Sequence, residues 1–161
     1  MVYFGIYSSL LSYGAQIWGQ HNAVSKKLQV LQNKAARIML FQPPRTSASP
    51  LLKHLNILNF SDFVNLQNFL YAHGSLRCIL PFTLRGKLHL LDHNHGTRLQ
   101  GVNAQLTRPR PNTVNSGSKS IKNRAVDVWN SINSDHPQVK FFENSYSVCK
   151  SFIKKFLLSK Y

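Results

Sequence analysis

Acidic residues are scarce in this chain. Five Asp and Glu stand against 20 Lys and Arg in 161 residues, which leaves a formal net charge of +15. The carboxylates are Asp62, Asp92, Asp127, Asp135 and Glu143, and no two lie close together in sequence. This spacing argues against a paired-carboxylate active site or a two-metal centre. Such an excess of positive charge repels itself, so nucleic acid is the first partner to expect and an acidic membrane surface the second.

Cysteine is rarer still, with Cys78 and Cys149 alone. Neither belongs to a CxxC pair, which excludes a zinc ribbon or zinc knuckle. Two cysteines in a chain of this length do not resemble a secreted disulfide scaffold. We therefore expect an intracellular protein, located in the nucleus or the cytoplasm.

Charge is missing altogether from the first 25 residues. A signal peptide would need a positive start, and serine, glutamine and glycine interrupt the run that a transmembrane span would need. Apolar residues at steps of three and four favour a third interpretation, a helix buried among other helices. The expected inward stripe consists of Tyr3, Tyr7, Leu10, Leu11, Gly14, Ile17 and Trp18.

A second helix is predicted after Asn22, a good N-cap, over the stretch "AVSKKLQVLQNKAARIMLF". Its expected core face consists of Val24, Leu28, Leu31, Ala35 and Ile38. Beside that face Lys26, Lys27, Lys34 and Arg37 fall within an arc of about 100°. The arc is either a solvated surface or a phosphate-binding face, and the shortage of acids favours the second interpretation.

Further helices are predicted along the chain. Ser49 caps a short helix over residues 50–55, Ser61 caps one that Gly74 closes, and Ser120 caps "IKNRAVDVWNSI", in which Ala125, Val128, Trp129 and Ile132 face inward. The last helix, "SYSVCKSFIKKFLLSKY", has an apolar side of Val148, Phe152, Phe156 and Leu157.

Helical periodicity fades between residues 83 and 119, where Pro109 and Pro111 forbid a helix. We predict an extended basic arm there, with one short strand pair at most. The expected fold is all-α: a small thumb-like helical bundle over residues 1–82, an irregular basic arm over 83–119 and a C-terminal helical tail over 120–161.

Catalytic motifs are missing from the sequence. It holds no glycine-rich phosphate loop after a strand and no nucleophile elbow. His89, Asp92, His93 and His95 are weak candidates for a metal site, but they lack the fixed spacing of a helical site such as HExxH. A solvated polar loop is the favoured interpretation, so we expect a binding module with no catalytic residue and no cofactor.

Several stretches together resemble one family. In chain order they are "LLSYGAQIWG", "LQVLQNKAARIM", "LLKHLNILNFSDF" with "NFLYA", "ILPF", "HNHGTR", "AVDVWNSI" and "SFIKKFLLSKY". Their order and intervals resemble the C-terminal region of non-LTR retrotransposon reverse transcriptases, especially the jockey-like group. The resemblance extends over nearly the whole chain.

The resemblance implies a thumb, the helical unit that holds the template–primer duplex, and the tail after it. The family's polymerase centre lies in a palm domain and uses Mg²⁺ bound by paired aspartates, whereas this chain has no Asp-Asp pair. The chain begins after the place where the palm and the upstream endonuclease would stand. We therefore expect a fragment that is inactive as an RNA-directed DNA polymerase on its own, with the missing palm as a partner and no membrane.

The predicted ligand is the RNA or DNA backbone. The expected phosphate contacts are Lys26, Lys27, Lys34 and Arg37 from the second helix, and Arg98, Arg108, Arg110, Lys119, Lys122 and Arg124 from the arm. Two alternatives stay open: a cationic membrane-associated helical protein, and a metal-dependent nuclease built on the histidines.

Overall fold

The computed structural model describes residues 3–19, 21–85, 87–91, 105–110 and 120–161, apart from the side chain of Trp18. A π-helical turn, Tyr3–Tyr7, and a 3₁₀ turn, Phe82–Leu84, accompany the α-helices. The helices are α1 Ser8–Trp18, α2 Asn22–Met39, α3 Ala48–His54, α4 Phe60–Leu76, α5 Ile121–Asp135 and α6 Tyr146–Ser159. Over these ranges no strand forms, and an isolated antiparallel bridge joins Leu90 to Leu106. The all-α prediction is confirmed.

The chain forms two compact units. The first comprises residues 1–67 and 151–161, and the second residues 68–150, so the divisions fall inside α4 and inside α6. The boundaries predicted at residues 82 and 119 rest on composition, whereas the units reflect which residues pack together. The division into bundle, arm and tail stays a prediction.

Two hydrophobic clusters lie in the described part of the first unit's core. One contains Leu11 and Ala15 of α1 with Phe60 and Val64 of α4, and the other contains Ala36, Leu52 and Ile57. The C-terminal residue ties the end of the chain to the start of α4: the Tyr161 hydroxyl donates to Asp62 Oδ2 at 2.6 Å and accepts from the Asn59 amide at 3.0 Å.

The buried face of α1 differs from the predicted stripe. Leu11 and Gly14 are buried as predicted, and Ala15 is buried beside them. Leu10 and Ile17, however, are 64% and 61% exposed. The predicted burial of Trp18 falls outside the described side chains. The end of α1 packs closely against α4. Gly19 lies so near Val64 that a Cβ at residue 19 would overlap the Val64 side chain.

The core face of α2 is also rotated from the prediction. Gln32 and Ala36 are buried, whereas Leu31 is 52% exposed and Ile38 is 74% exposed. Gln32 is accommodated because its Nε2 donates to the Leu58 carbonyl at 2.7 Å and to the Tyr3 hydroxyl at 2.8 Å. Both partners lie more than 25 residues away in sequence. An assignment made from local periodicity places glutamine on the surface, so it does not detect these two partners.

The second unit is centred on Trp129, which is fully buried. Its ring stacks on Phe69 with centroids 4.9 Å apart, and Phe141 meets it edge-on at 6.5 Å. Ala125 and Ile132, the other α5 residues that the structure buries from the predicted inward set, lie on the same side of the helix. Val128 is only partly buried.

One of the predicted helix caps is confirmed, and the other predicted helix N-termini differ from the structure. Ser120 caps α5 as predicted, its side chain accepting from the Asn123 amide. Asn59, not Ser61, caps α4 through a 2.8 Å bond from the Asp62 amide. Asn22 is the first residue of α2 and not its cap, and α3 begins at Ala48 instead of Pro50.

Three helices end with a left-handed residue. Phe41, Asn56 and Cys78 have φ of 50°, 56° and 56° after α2, α3 and α4. In each case the amide of the next residue donates a hydrogen bond to the carbonyl five residues before it. The N–O distances are 2.9 Å, 2.9 Å and 3.0 Å. This is the Schellman arrangement, which usually places glycine at the left-handed position.

Gly74 does not close α4 as predicted, because the helix continues to Leu76. A Cβ at Gly74 would come within 3.1 Å of Leu80 Cγ. The missing side chain therefore makes room for Leu80 after the turn.

The buried stripe of α6 includes Leu157 as predicted, but it otherwise lies one residue beyond the predicted positions. Cys149, Ile153 and Leu157 are buried, while Val148 is 54% exposed. In the described part of the chain no helix has the length and apolar character needed to cross a membrane.

Candidate nucleic-acid interface

The outer face of α2 carries three exposed lysines. At 100° per residue, Lys27 and Lys34 lie on the side of the helix opposite Gln32 and Ala36, which face the core. Lys26 lies on the flank between the two sides, about 80° from Ala36. No hydrogen bond or ion pair with another described residue engages any of the three. The packing of the core face thus presents the lysines to solvent as a fixed row.

Acidic groups do not offset this row in the described part of the chain. The ion pairs seen there are Arg108–Asp127 and Lys140–Glu143, each at 3.2 Å and each exposed. Exposed pairs of this kind contribute at most about 1 kcal/mol. The outer face of α2 is therefore a cationic surface without an internal counter-charge among these residues.

Arg37 has a structural contact that the sequence did not suggest. Its Nε donates to the Thr46 carbonyl at 2.9 Å, and the residue is half-buried. This bond ties the loop after α2 back to the helix. A phosphate contact by Arg37 stays a prediction and would have to use the outer nitrogens of the guanidinium.

The predicted arm contacts fall in the second unit or outside the described residues. Arg108 pairs with Asp127, and Arg110 is exposed. Lys122 and Arg124 are partly buried in the first turn of α5. Arg98 and Lys119 lie outside the described residues. The predicted cations are thus divided between the two units, and only those on α2 form a row on one helix face.

The candidate metal ligands are not assembled into a site in the described part of the chain. His89 is exposed there, and Asp92, His93 and His95 fall outside it. Among the residues that are described, no group of three His, Cys, Asp or Glu could hold a metal ion.

Cys149 is a poor nucleophile. It is buried, its Sγ donates to the Phe141 carbonyl at 3.5 Å, and burial raises the pKa of the thiol. A protonated, enclosed thiol reacts slowly, since the thiolate is the reactive form.

Apolar surface beside the lysines is the feature that sequence analysis missed. Lys26, Lys27, Val30 and Leu31 line a shallow depression of about 430 Å³ on α2. The sequence contains a signal for this apolar surface, because Val30 lies inside the basic arc, about 40° from Lys26. The lysine stems and these two side chains form a surface that combines positive charge with apolar atoms.

In comparisons with known proteins, no family model, no curated protein and no solved structure matches the chain. The resemblance to reverse transcriptases therefore depends on the sequence motifs alone.

Proposed function

We propose that the chain is a non-catalytic C-terminal fragment of a retrotransposon RNA-directed DNA polymerase, and that it binds nucleic-acid backbone through the lysine row of α2. One observation carries the proposal: Lys26, Lys27 and Lys34 are exposed on one helix face, with no described acidic partner, in a chain of net charge +15. The resemblance indicates the proposed class of protein, and the positive charge indicates the proposed ligand.

The spacing of the row suits a polyanion. Lys27 and Lys34 are seven residues apart, which is about 10.5 Å along a helix axis. Duplex DNA carries one charge per ~1.7 Å of axis, so several phosphates fall within reach of this span. Lysine contacts to phosphate position a protein without reading sequence, so the binding is sequence-independent.

The template–primer duplex and Mg²⁺ belong to the polymerase that the chain resembles. The palm is the proposed partner in that larger protein. The chain itself contributes backbone contacts and no catalytic group.

The test is the salt dependence of binding. We expect the triple variant Lys26→Ala, Lys27→Ala and Lys34→Ala to bind duplex DNA more weakly and to flatten the slope of log K against log salt. Each lost phosphate contact changes the slope by about 0.9, so three contacts change it by about 2.7. Fluorescence anisotropy with two duplexes of unrelated sequence measures the slope, and both should weaken alike.

A matched control separates the row from overall charge. Lys87, Lys150 and Lys155 are exposed lysines elsewhere in the chain. Lys53, Lys140 and Lys160 suit this purpose less well, because each contacts another group. If changing the control lysines to alanine lowers the affinity as much as changing the row, the charge acts as a diffuse field and α2 is not the binding face.

Two further measurements address the alternatives. Flotation with anionic liposomes, with and without competing DNA, detects a membrane-associated protein. A plasmid-nicking assay with and without chelator detects a metal-dependent nuclease. Strong flotation that DNA does not compete away, or chelator-sensitive nicking, would replace the proposed function.

A further inference from the structure

The first unit exposes an apolar groove that the lysine row does not explain. The groove has a volume of about 450 Å³. One wall comes from the π-helical turn and α1, the other from the second half of α2. The lining includes Tyr3, Ile6, Leu10, Ala35, Ile38 and Met39.

The walls of the groove are unusually exposed for apolar side chains. Ile6 is 60% exposed, Leu10 64% and Ile38 74%. The exposed surface continues along α1 from Leu10 through Tyr13 and Ile17, at successive spacings of three and four residues. Contiguous exposed apolar surface is characteristic of interaction sites, whereas single exposed apolar residues are ordinary.

The pattern on α2 is that of a coiled-coil helix. Val24, Leu28, Leu31, Ala35 and Ile38 follow one another at alternating spacings of four and three, which are the a and d positions of a heptad. Of these residues Ala35 and Ile38 line the groove, and Leu28 packs against the core of the first unit. Val24 and Leu31 are exposed and continue the stripe beyond the groove. A helical partner is the occupant that this spacing accommodates, through anchors one and two turns apart.

Charge defines the partner further. Lys27 and Lys34 both occupy position g of the heptad, about 40° round the helix from Leu31 and Ile38. Residues at this position form the ion pairs that select a coiled-coil partner. No cation lies on the α1 side, since residues 3–19 carry no charged side chain. The fitting ligand is therefore apolar along its centre and acidic along one margin.

A second copy of this chain does not meet that description. In a parallel pair the g lysines would face position e of the other copy, which Gln32 and Met39 occupy. In an antiparallel pair lysine would face lysine. Two chains of net charge +15 also repel each other.

Nucleic acid does not fit the groove either. The wall formed by the π-helical turn and α1 offers no cation to a phosphate. The groove therefore calls for a ligand different from the nucleic acid that is proposed for the row of α2.

We infer that this groove binds an amphipathic helix of a partner protein, with apolar residues at heptad spacing and carboxylates along the margin that meets Lys27 and Lys34. The inference does not depend on the proposed nucleic-acid function. The two predict competition, because a docked helix covers two of the three lysines in the row.

The experiment uses two designed probes and the full chain. One peptide carries leucine and isoleucine at the a and d positions with glutamate at e and g, and the other replaces each glutamate with lysine. We expect the chain to bind the glutamate peptide about tenfold more tightly than the lysine peptide in an anisotropy titration. Lys27→Glu with Lys34→Glu should reverse the preference. A structural defect would weaken both peptides and could not produce this reversal.

Groove variants test the apolar anchors. Leu10→Gln and Ile38→Gln change exposed side chains, and each should weaken the glutamate peptide by about tenfold or more, because each removes an apolar anchor from a groove. The matched controls Phe82→Gln and Val148→Gln also change exposed apolar residues, outside the groove, and should leave binding unchanged.

Four results would overturn the inference. They are equal binding of both peptides, groove variants that bind like the wild type, a dimer in light scattering that Leu10→Gln dissociates, and partitioning onto neutral phosphatidylcholine vesicles that depends on Leu10 and Ile38. The last two would assign the groove to a second copy or to a membrane surface.

Discussion

Several buried polar side chains form specific hydrogen bonds in this protein, and among them His73 has a consequence for titration. It is fully buried in the second unit, where its Nε2 lies 3.1 Å from the Asn144 carbonyl. Burial lowers the pKa of His73, opposed by the hydrogen bond to Asn144 and assisted by the charge of Arg77. The folded chain therefore holds this imidazole neutral at a pH where the unfolded chain has begun to protonate it.

Stability should fall as the solution becomes acidic. Because the folded pKa of His73 lies below the unfolded value of about 6.5, the unfolded state binds more protons in that window. The contribution of His73 is present above pH ~6.5 and is lost as pH falls through the folded pKa. Urea unfolding between pH 5 and 8 measures this dependence.

The variant His73→Gln supplies the comparison, since glutamine does not titrate. We expect its free energy of unfolding to change less between pH 7 and 5 than that of the wild type. His54→Gln is the control, because His54 is exposed. If the wild type and His73→Gln show the same pH dependence, protonation of His73 does not limit stability.

At the scale of the elements, the helix ends hold the clearest local conflict. Phe41 is 96% exposed and adopts φ 50° at the end of α2. A bulky residue in this region is uncommon, whereas Asn56 is a residue that tolerates it. The Schellman bonds to the carbonyls of α2 impose the conformation, and the side chain makes no compensating burial.

Phe41→Gly should stabilise the first unit. Relief of the left-handed backbone is worth about 1–2 kcal/mol and the added freedom of glycine costs about 0.5–1 kcal/mol, which leaves a gain below roughly 1.5 kcal/mol. Thermal or urea unfolding measures it. Asn56→Gly, at a similar φ of 56°, should gain less. A loss of stability in Phe41→Gly would show that the aromatic ring contributes packing in solution.

At the scale of the whole molecule, charge dominates what the chain can do. Of its five carboxylates, Asp127 and Glu143 pair with cations and Asp62 accepts from Tyr161. These positions are distributed along the chain and form no metal-binding group in the part of the structure that is described. The surface of α2 presents exposed cations without a described acidic partner, and the proposed function requires no more of it.

The purified chain should extend no primer in Mg²⁺ or Mn²⁺. Two-metal polymerisation needs carboxylates that hold both ions near each other, and the sequence has no Asp-Asp pair. Radiolabelled nucleotide incorporation on a primed RNA template measures this, with an intact reverse transcriptase as the positive control. Incorporation above background that persists through repurification would contradict the fragment proposal.

Local information was sufficient for several features. Ser120 begins α5 as predicted because a serine side chain can satisfy an amide three residues on without help from elsewhere. Trp129 is buried as predicted because a large aromatic ring that lies on the apolar side of a helix strongly favours facing the core. The exposure of Lys26, Lys27 and Lys34 followed from the cost of burying an unpaired charge.

Tertiary structure decided which face of each helix became the core. On α2 the apolar heptad stripe was the expected core face, yet Gln32 and Ala36 are buried. The glutamine finds Tyr3 and Leu58 as partners, and the small alanine packs with Leu52 and Ile57. These partners come from distant positions, so no local period contains them. Composition determined the charge of this protein and apolar periodicity indicated where its helices form, whereas long-range packing determined the exposed groove, because burial depends on what each face meets.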